Sequence, residues 1–228
     1  MKHLFAYFLK KPFTVQAVVF FLTAVFFISF QTNAQQVAVL KYDGGGDWYA
    51  NPTAVPNLIR FSNQHNNTRI SEKPKTVSAD SKDIFSYPIV FMTGHGNVFF
   101  DEISTENLGN YLRSGGFLHI SDNYGIDPYI RREMKKVFPD IEFQEVPYEH
   151  PIYHQKYSFK KLPKIHEHDN KPAVGFGLFY QGRLICFYDY ESDLSDGWED
   201  KSVHHDPDEV RLQALQMGAN IISYAFKN

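Results

Sequence analysis

Two adjacent glycines, Gly115 and Gly116, stand between an amphipathic segment and the short apolar run 117–120. Glycine at this place stops a helix, because it readily adopts the left-handed backbone conformation that closes a helix end. The apolar run then gives way to the polar residues 121–123. Ligands bind at the carboxyl ends of strands in open α/β sheets. The stretch therefore predicts a helix, a buried strand and a candidate site in succession.

Strands alternate with helices along most of the chain. Apolar runs predict strands, and apolar residues at helical spacing between capping and stop signals predict helices. Strands are predicted at 37–42, 68–70, 87–93, 117–120, 141–146, 173–180 and 183–188, the last two as a hairpin. Helices are predicted over 52–61, from a cap at 104–107 to Gly115, over 127–138 and over 206–225, with 71–83 and 147–172 mostly loop. This order is typical of an α/β domain with a mainly parallel sheet.

Residues 1–34 are arranged as a secretory signal peptide. Three lysines precede the apolar run 15–30, and Thr32-Asn33-Ala34 offers a small-residue cleavage site before Gln35. We expect one α/β domain at 35–228 and a periplasmic or secreted location, with no transmembrane span after cleavage. The alternative is an uncleaved N-terminal anchor in the inner membrane, because the run is near the lower limit for a span.

The charge balance excludes one class of partner. Without residues 1–34, the chain has 20 basic and 26 acidic residues. A nucleic-acid partner would require a basic face. The expected partner is an unidentified envelope protein or a carbohydrate ligand, and no nucleic acid.

The segment from Tyr87 to the C-terminus resembles a bacterial family known as domain of unknown function 4159. The matching segments are 115–118 with Asp122 and Gly125, 137–140, 150–154, 193–194 with 197–199, and 217–220. The resemblance implies a flavodoxin-like, class I glutamine amidotransferase-like fold with helices on both faces of the sheet, and it implies no activity. The chain departs from the family at Ser121, where a second aspartate is expected, and the departure weakens a metal site that would use an acidic pair.

Glutaminase and serine hydrolase chemistry are both disfavoured. A glutaminase needs a cysteine nucleophile on a sharp strand-to-helix turn. The only thiol, Cys186, lies inside an apolar run without flanking glycines, which favours core packing. Ser121 with His150 as base is the serine alternative, but it lacks the G-x-S-x-G pattern.

Polar residues that follow the predicted strands outline a ligand site. The candidates are His95, Asp122, Asn123, His150, His154, Asp193, Trp198 and Glu199. No catalytic role and no cofactor is assigned. His95, Asp122 and His150 are the candidates for a divalent metal site, because imidazole and carboxylate suit zinc and related ions. The alternative is structural: the histidines bond backbone groups, and Asp122 holds a turn.

Two classes of function remain open. The first is an exported ligand-binding or accessory module, with Trp198 and other aromatic residues, among them Trp48, lining a sugar pocket unless they pack in the core. The second is a hydrolase, with or without a metal, that acts on an envelope carbohydrate or peptide. Convergence of Asp122 and His150 with Asp193 or Trp198 on one surface would favour a shared site.

Overall fold

The computed structural model describes residues 34–227, so the predicted signal peptide lies outside the described residues. The strands are β1 (Ala38–Lys41), β2 (Lys75–Ser78), β3 (Ile89–Met92), β4 (Phe117–Ser121), β5 (Gln144–Glu145), β6 (Val174–Tyr180) and β7 (Arg183–Tyr190). The helices are α1 (Ala54–His65), α2 (Glu102–Arg113), α3 (Asp127–Val137), α4 (Lys201–His204) and α5 (Asp208–Ala225). Three short 3₁₀ segments are Lys82–Ser86, Pro151–Tyr153 and Asp196–Trp198.

The seven strands form one mixed sheet in the order β2-β1-β3-β4-β7-β6-β5. The first five strands of this order are mutually parallel. Strand β6 runs antiparallel to β7, and β5 runs antiparallel to β6. The prediction of an α/β domain with a mainly parallel sheet is confirmed.

Helices cover both faces of the sheet. Side chains alternate between the two faces along each strand, so one strand contributes to two core clusters. Val90 and Met92 of β3 pack in one core cluster with apolar residues of α2 and α3. Ile89 and Phe91 of the same strand pack in a second cluster with α1 and α5. Among residues 34–227, no helix combines the length and apolarity required to cross a membrane.

The glycine pair works as predicted. Gly115 has a φ of 113°, and the backbone N–H of Gly116 donates to the carbonyl of Tyr111 at 3.0 Å. These are features of a left-handed helix end. A Cβ on Gly116 would lie 2.3 Å from the Tyr111 ring, so the second glycine allows close packing of helix and strand.

Four local predictions are corrected. Strand β2 lies in the segment 71–83, predicted as mostly loop; it is an edge strand with Val77 as its single buried residue, so its sequence lacks an apolar run. The strand predicted at 68–70 is reduced to an isolated bridge between Ile70 and Gln35. The strand predicted at 141–146 is confined to the two residues of β5. Helix α2 begins at Glu102, before the predicted cap at 104–107. The cap is Asp101, whose carboxylate accepts the N–H of Ser104 at 2.8 Å.

Candidate functional site

Most of the buried polar side chains among residues 34–227 lie at the carboxyl edge of the parallel strands. Strand β4 ends there, and so does β7, which is followed by a loop of polar residues up to Glu199. The buried polar residues at this edge are Thr93, Ser121, Asp122, Asn123, Asp189, Glu191, Ser192, Asp193, Ser195, Asp196 and Glu199. A buried polar group is costly unless it is hydrogen-bonded, so this edge must be an organised network.

Ser195 is at the centre of that network. Its hydroxyl accepts from Asn51 Nδ2 at 2.7 Å, donates to Asn123 Oδ1 at 3.0 Å and lies 3.2 Å from Thr93 Oγ1. Its backbone N–H donates to Ser121 Oγ at 3.1 Å. The network joins the loops after β1, β3, β4 and β7, and Asn123 serves it as a structural link.

A buried imidazole–carboxylate pair lies beneath this network. His119 Nε2 and Asp189 Oδ2 are 2.7 Å apart, and both side chains are fully buried. Burial lowers the pKa of His119 to about 3, and burial together with Asp122 raises the pKa of Asp189 well above its usual range. Ser121 Oγ also donates to Asp189 at 3.1 Å. The Asp189 carboxylate is therefore the hydrogen-bond partner of both the Ser121 hydroxyl and His119 Nε2.

Asp122 binds backbone groups with both of its carboxylate oxygens. Oδ1 accepts the N–H of Tyr124 at 3.1 Å, and Oδ2 accepts the N–H of Glu191 at 3.2 Å. Burial raises the pKa of Asp122. The side chain closes a turn after β4 and connects it to the loop after β7. Asp122 thus holds a turn, which was the alternative to a metal-binding role.

Glu199 and Trp198 have structural contacts as well. Glu199 Oε1 accepts the N–H groups of Thr53 and Ala54 at 2.9 and 2.8 Å, at the start of α1. The indole of Trp198 donates to the carbonyl of Ala214 at 2.8 Å and packs edge-on against Phe91. Trp198 is 1% exposed, so the indole belongs to the core in this structure.

The structure does not bring His95, Asp122 and His150 together. His95 lies at the carboxyl edge, where its Nδ1 is 3.0 Å from Asp47 Oδ2. His150 is the residue before the 3₁₀ segment Pro151–Tyr153, and its ring packs on Phe179 and Tyr224. Phe179 pairs with Leu184 at the start of β7, so His150 lies towards the amino edge of the sheet.

His154 is also away from the candidate site. Its Nε2 donates to the carbonyl of Tyr148 at 2.6 Å, within its own loop. The expected common surface for Asp122 and His150 therefore does not form, because the loop after β5 folds back over one face of the sheet and places the His150 ring on Phe179 and Tyr224. The candidate Asp193 belongs to a larger cluster of ionisable side chains.

That cluster combines three histidines with three aspartates. His166 Nδ1 is 3.0 Å from Asp196 Oδ2, and His166 Nε2 is 3.2 Å from Asp206 Oδ1. His168 Nε2 is 2.6 Å from Asp193 Oδ2. His204 completes the group, with Nε2 3.8 Å from Asp196 Oδ2. We call these six residues the His/Asp cluster.

Neighbouring charges shift the pKa values in the His/Asp cluster. The hydrogen bond to Asp196, together with the charge of Asp206, raises the pKa of His166 to about 9 despite burial. Burial and the neighbouring charge of Asp196 raise the pKa of Asp193 to about 7. The carboxylates of the cluster therefore favour the protonated, positively charged form of His166.

Sequence reasoning missed five of the six cluster residues. His166 and His168 lie in the segment 147–172, which has no periodic pattern, and they meet residues 25 to 40 positions further along the chain. The His-x-His spacing at 166–168 was a usable signal, because it places two imidazoles near one another in an extended loop.

A surface cleft opens beside the Ser195 network. The cleft has a volume of about 260 Å³, and Trp48, Tyr49, Pro52 and Pro56 are among its lining residues. An inner cavity of about 20 Å³ reaches His119, Ser121 and Ser195. Four residues line both spaces: Val39, Ala50, Asn51 and Val55. The cleft thus borders the buried polar network, with Asn51 between them.

Cys186 is fully buried in β7, where it pairs with Leu118 and Leu178. Burial raises the pKa of its thiol well above the usual range. A nucleophilic cysteine needs access and a lowered thiol pKa. Cys186 has neither, which agrees with the sequence-based interpretation as a core residue.

One family model matches almost the whole of this α/β unit. A model of the family described as "Domain of unknown function (DUF4159)" matches residues 36–226. The match begins two residues before β1 and ends one residue after α5. A search of curated proteins finds no match. The chain therefore belongs to the DUF4159 family.

Proposed function

We propose that this protein is an exported, envelope-associated ligand-binding module with a glutamine amidotransferase-like fold and no glutaminase activity. The observation that carries the proposal is the aromatic cleft beside the Ser195 network. Ligand sites are concave, rich in aromatic side chains and supplied with a few fixed polar groups. Trp48 and Tyr49 supply the aromatic faces, and Asn51 supplies an amide at the inner end.

The strand order supports the finer fold assignment. The five parallel strands β2-β1-β3-β4-β7 follow the order 2-1-3-4-5 when they are numbered by appearance. That order is the flavodoxin-like one, and helices cover both faces of the sheet as in that class. The strand order reverses next to β1, and the loop after β1 supplies Trp48, Tyr49 and Asn51.

The contacts at the carboxyl edge favour binding over nucleophilic hydrolysis. Ser121 Oγ donates to Asp189, whereas a serine nucleophile requires an imidazole base within hydrogen-bond reach. His150, the base that the sequence suggests, packs on Phe179 and Tyr224 instead. The alternative function, a hydrolase of envelope carbohydrate or peptide, would have to use the His/Asp cluster and a bound metal.

The ligand class that best fits the cleft is a carbohydrate. Tyr49 is 66% exposed, and its ring meets the Trp48 ring edge-on at a centroid distance of 5.6 Å. The exposed Tyr49 ring and the partly buried Trp48 ring offer apolar faces, and Lys75 offers a hydrogen-bond donor to hydroxyl groups. Asn51 offers its Oδ1 as an acceptor, because its Nδ2 already donates to Ser195 Oγ and Asp196 Oδ1.

Calorimetry with soluble N-acetylglucosamine oligomers and muropeptides tests the proposal. We expect the protein to bind one of these probes and Tyr49→Ala to weaken binding at least tenfold. Phe85→Ala is the matched control, since Phe85 is also an exposed aromatic residue but contacts Tyr111 of α2. Equal affinity of the wild type and Tyr49→Ala, or no binding of any probe, would overturn the assignment of the cleft.

A further inference from the structure

The His/Asp cluster brings three possible metal-ligand atoms close together. These atoms are His166 Nδ1, Asp196 Oδ2 and His204 Nε2, and every pair of them lies within 4.8 Å. We propose that this triad is a binding site for a zinc-like divalent transition metal ion. The proposal is independent of the carbohydrate cleft.

The distances suit a tetrahedral ion. Ligands that are ~2.0–2.1 Å from a tetrahedral zinc ion lie roughly 3.3 Å from each other. His166 Nδ1 and Asp196 Oδ2 are 3.0 Å apart, and Asp196 Oδ2 and His204 Nε2 are 3.8 Å apart. Small side-chain rotations would therefore bring all three atoms to bonding distance of one ion.

An unpartnered buried oxygen is the second observation that points to a cation. Asp193 Oδ1 is buried and makes no hydrogen bond with any residue in 34–227, and the Asp193 side chain is 1% exposed. The other oxygen of this carboxylate, Oδ2, lies 3.7 Å from His166 Nδ1. Such an oxygen has lost its water without gaining a donor, which costs free energy unless a cation faces it. Asp193 supplies a negative charge beside the triad.

Asp206 contacts the His166 ring on the side away from the proposed metal ion. Its Oδ1 is 3.2 Å from Nε2 of His166, the ring nitrogen opposite the proposed ligand atom. Metal-binding histidines almost always donate this second N–H to a carboxylate, carbonyl or water, which orients the ring and increases its basicity. The pair matches the carboxylate–histidine–metal arrangement of many zinc sites.

The donor set selects the class of metal. Two imidazoles and one carboxylate suit zinc and the neighbouring first-row ions, whereas calcium and magnesium prefer all-oxygen sites. The side chains of His166 and His204 are 26% and 29% exposed, so the site opens to solvent on one side. An open coordination position of this kind can hold water or a ligand group.

The test is metal binding by the purified protein after treatment with a chelator. We expect one equivalent of Zn²⁺ to bind and to raise the melting temperature, and one equivalent of Co²⁺ to give the visible absorption of a four- or five-coordinate site. His166→Gln and His204→Gln should each weaken Zn²⁺ binding at least tenfold. His205→Gln is the matched control, because His205 is adjacent in sequence and outside the triad, and it should bind Zn²⁺ like the wild type.

A second measurement keeps the test decisive if a variant fails to fold. In the ¹⁵N-labelled wild type, Zn²⁺ should shift the imidazole signals of His166 and His204 and leave those of His65 unchanged. If Zn²⁺ binds no more tightly to the wild type than to His166→Gln, or shifts neither imidazole, the cluster is an ion-pair network only and the metal site is refuted.

Discussion

At the scale of single residues, a buried carboxylate is stable in this protein where several hydrogen-bond donors surround it. The side chain of Glu133 in α3 is fully buried. It accepts hydrogen bonds from Arg132 Nε and Lys136 Nζ, both at 2.7 Å, and from the N–H of Phe100 at 2.8 Å. Burial raises the pKa of Glu133, but these donors, Lys136 first, outweigh it, so the pKa lies below its usual range.

This pKa shift predicts how the stability depends on pH. Because the folded-state pKa is lowered, the ionised carboxylate stabilises the fold above the unfolded value of about 4.5, and the contribution is lost as pH falls below it. Glu133→Gln should lower the free energy of unfolding by ~1–3 kcal/mol at pH 7. Urea unfolding at pH 7 and pH 3.5 should show the difference from wild type shrinking at the lower pH.

Glu142→Gln is the control for Glu133, since Glu142 pairs with Lys135 at the surface. Exposed ion pairs contribute little to stability, so this variant should keep the wild-type urea midpoint. An equal loss in both variants would contradict the role of burial.

Cys186 provides a second prediction at this scale. Since the thiol is fully buried and its pKa is raised, a bulky thiol reagent should label the native protein only after unfolding. Cys186→Ala should lower the free energy of unfolding by about 1 kcal/mol, for the lost volume, and leave ligand binding unchanged. Rapid labelling of the native protein, monitored by mass spectrometry, would contradict this burial.

At the scale of elements, helix α1 depends on a residue that is distant in sequence. The residue before α1, Thr53, makes no side-chain cap for it. Glu199 takes over this function by accepting two backbone N–H groups, and its Oε2 accepts the Thr53 hydroxyl at 2.7 Å. A carboxylate at a helix N-terminus also interacts favourably with the helix dipole.

We therefore expect Glu199→Ala to lower the free energy of unfolding by ~1–2 kcal/mol, as the loss of other caps does. Glu209→Ala is the control, because Glu209 is an exposed acid in the first turn of α5. Thermal unfolding of both variants tests the expectation, and a loss for Glu199→Ala no larger than for Glu209→Ala would contradict the capping role.

The elements also show where local patterns are sufficient. The hairpin of β6 and β7 is confirmed, and its turn residues Gln181 and Gly182 both have positive φ, at 50° and 79°. A two-residue turn of this kind matches the twist of the strands. Strand β2 was not predicted because it lies at the edge of the sheet and buries only Val77. Its backbone hydrogen bonds to β1 do not depend on side-chain hydropathy, so the sequence pattern does not show them.

At the scale of the whole molecule, the first residue of the expected mature chain already belongs to the fold. The N–H of Gln35 donates to the carbonyl of Arg69, and the carbonyl of Gln35 accepts the N–H of Ser71, both at 2.9 Å. Cleavage after Ala34 would leave these contacts intact.

We expect export and cleavage near Gln35, and we expect residues 35–228 to unfold in one cooperative transition. N-terminal sequencing of the protein from the envelope fraction tests the first point, and calorimetry of the cleaved protein tests the second. Recovery of a cytoplasmic species that begins at Met1 would contradict export.

The amino-acid sequence by itself determined the α/β class, the helix stop at Gly115 and the core position of Cys186. Each depends on neighbours within a few residues, because apolar periodicity and glycine conformation act locally. Only the tertiary structure decided which loops meet. It placed His150 towards the amino edge, away from Asp122, and it brought His166 to Asp196 and His204 across 30 and 38 residues. The paths of the long loops decide such meetings, and these paths depend on packing against the sheet faces, which no local sequence pattern records.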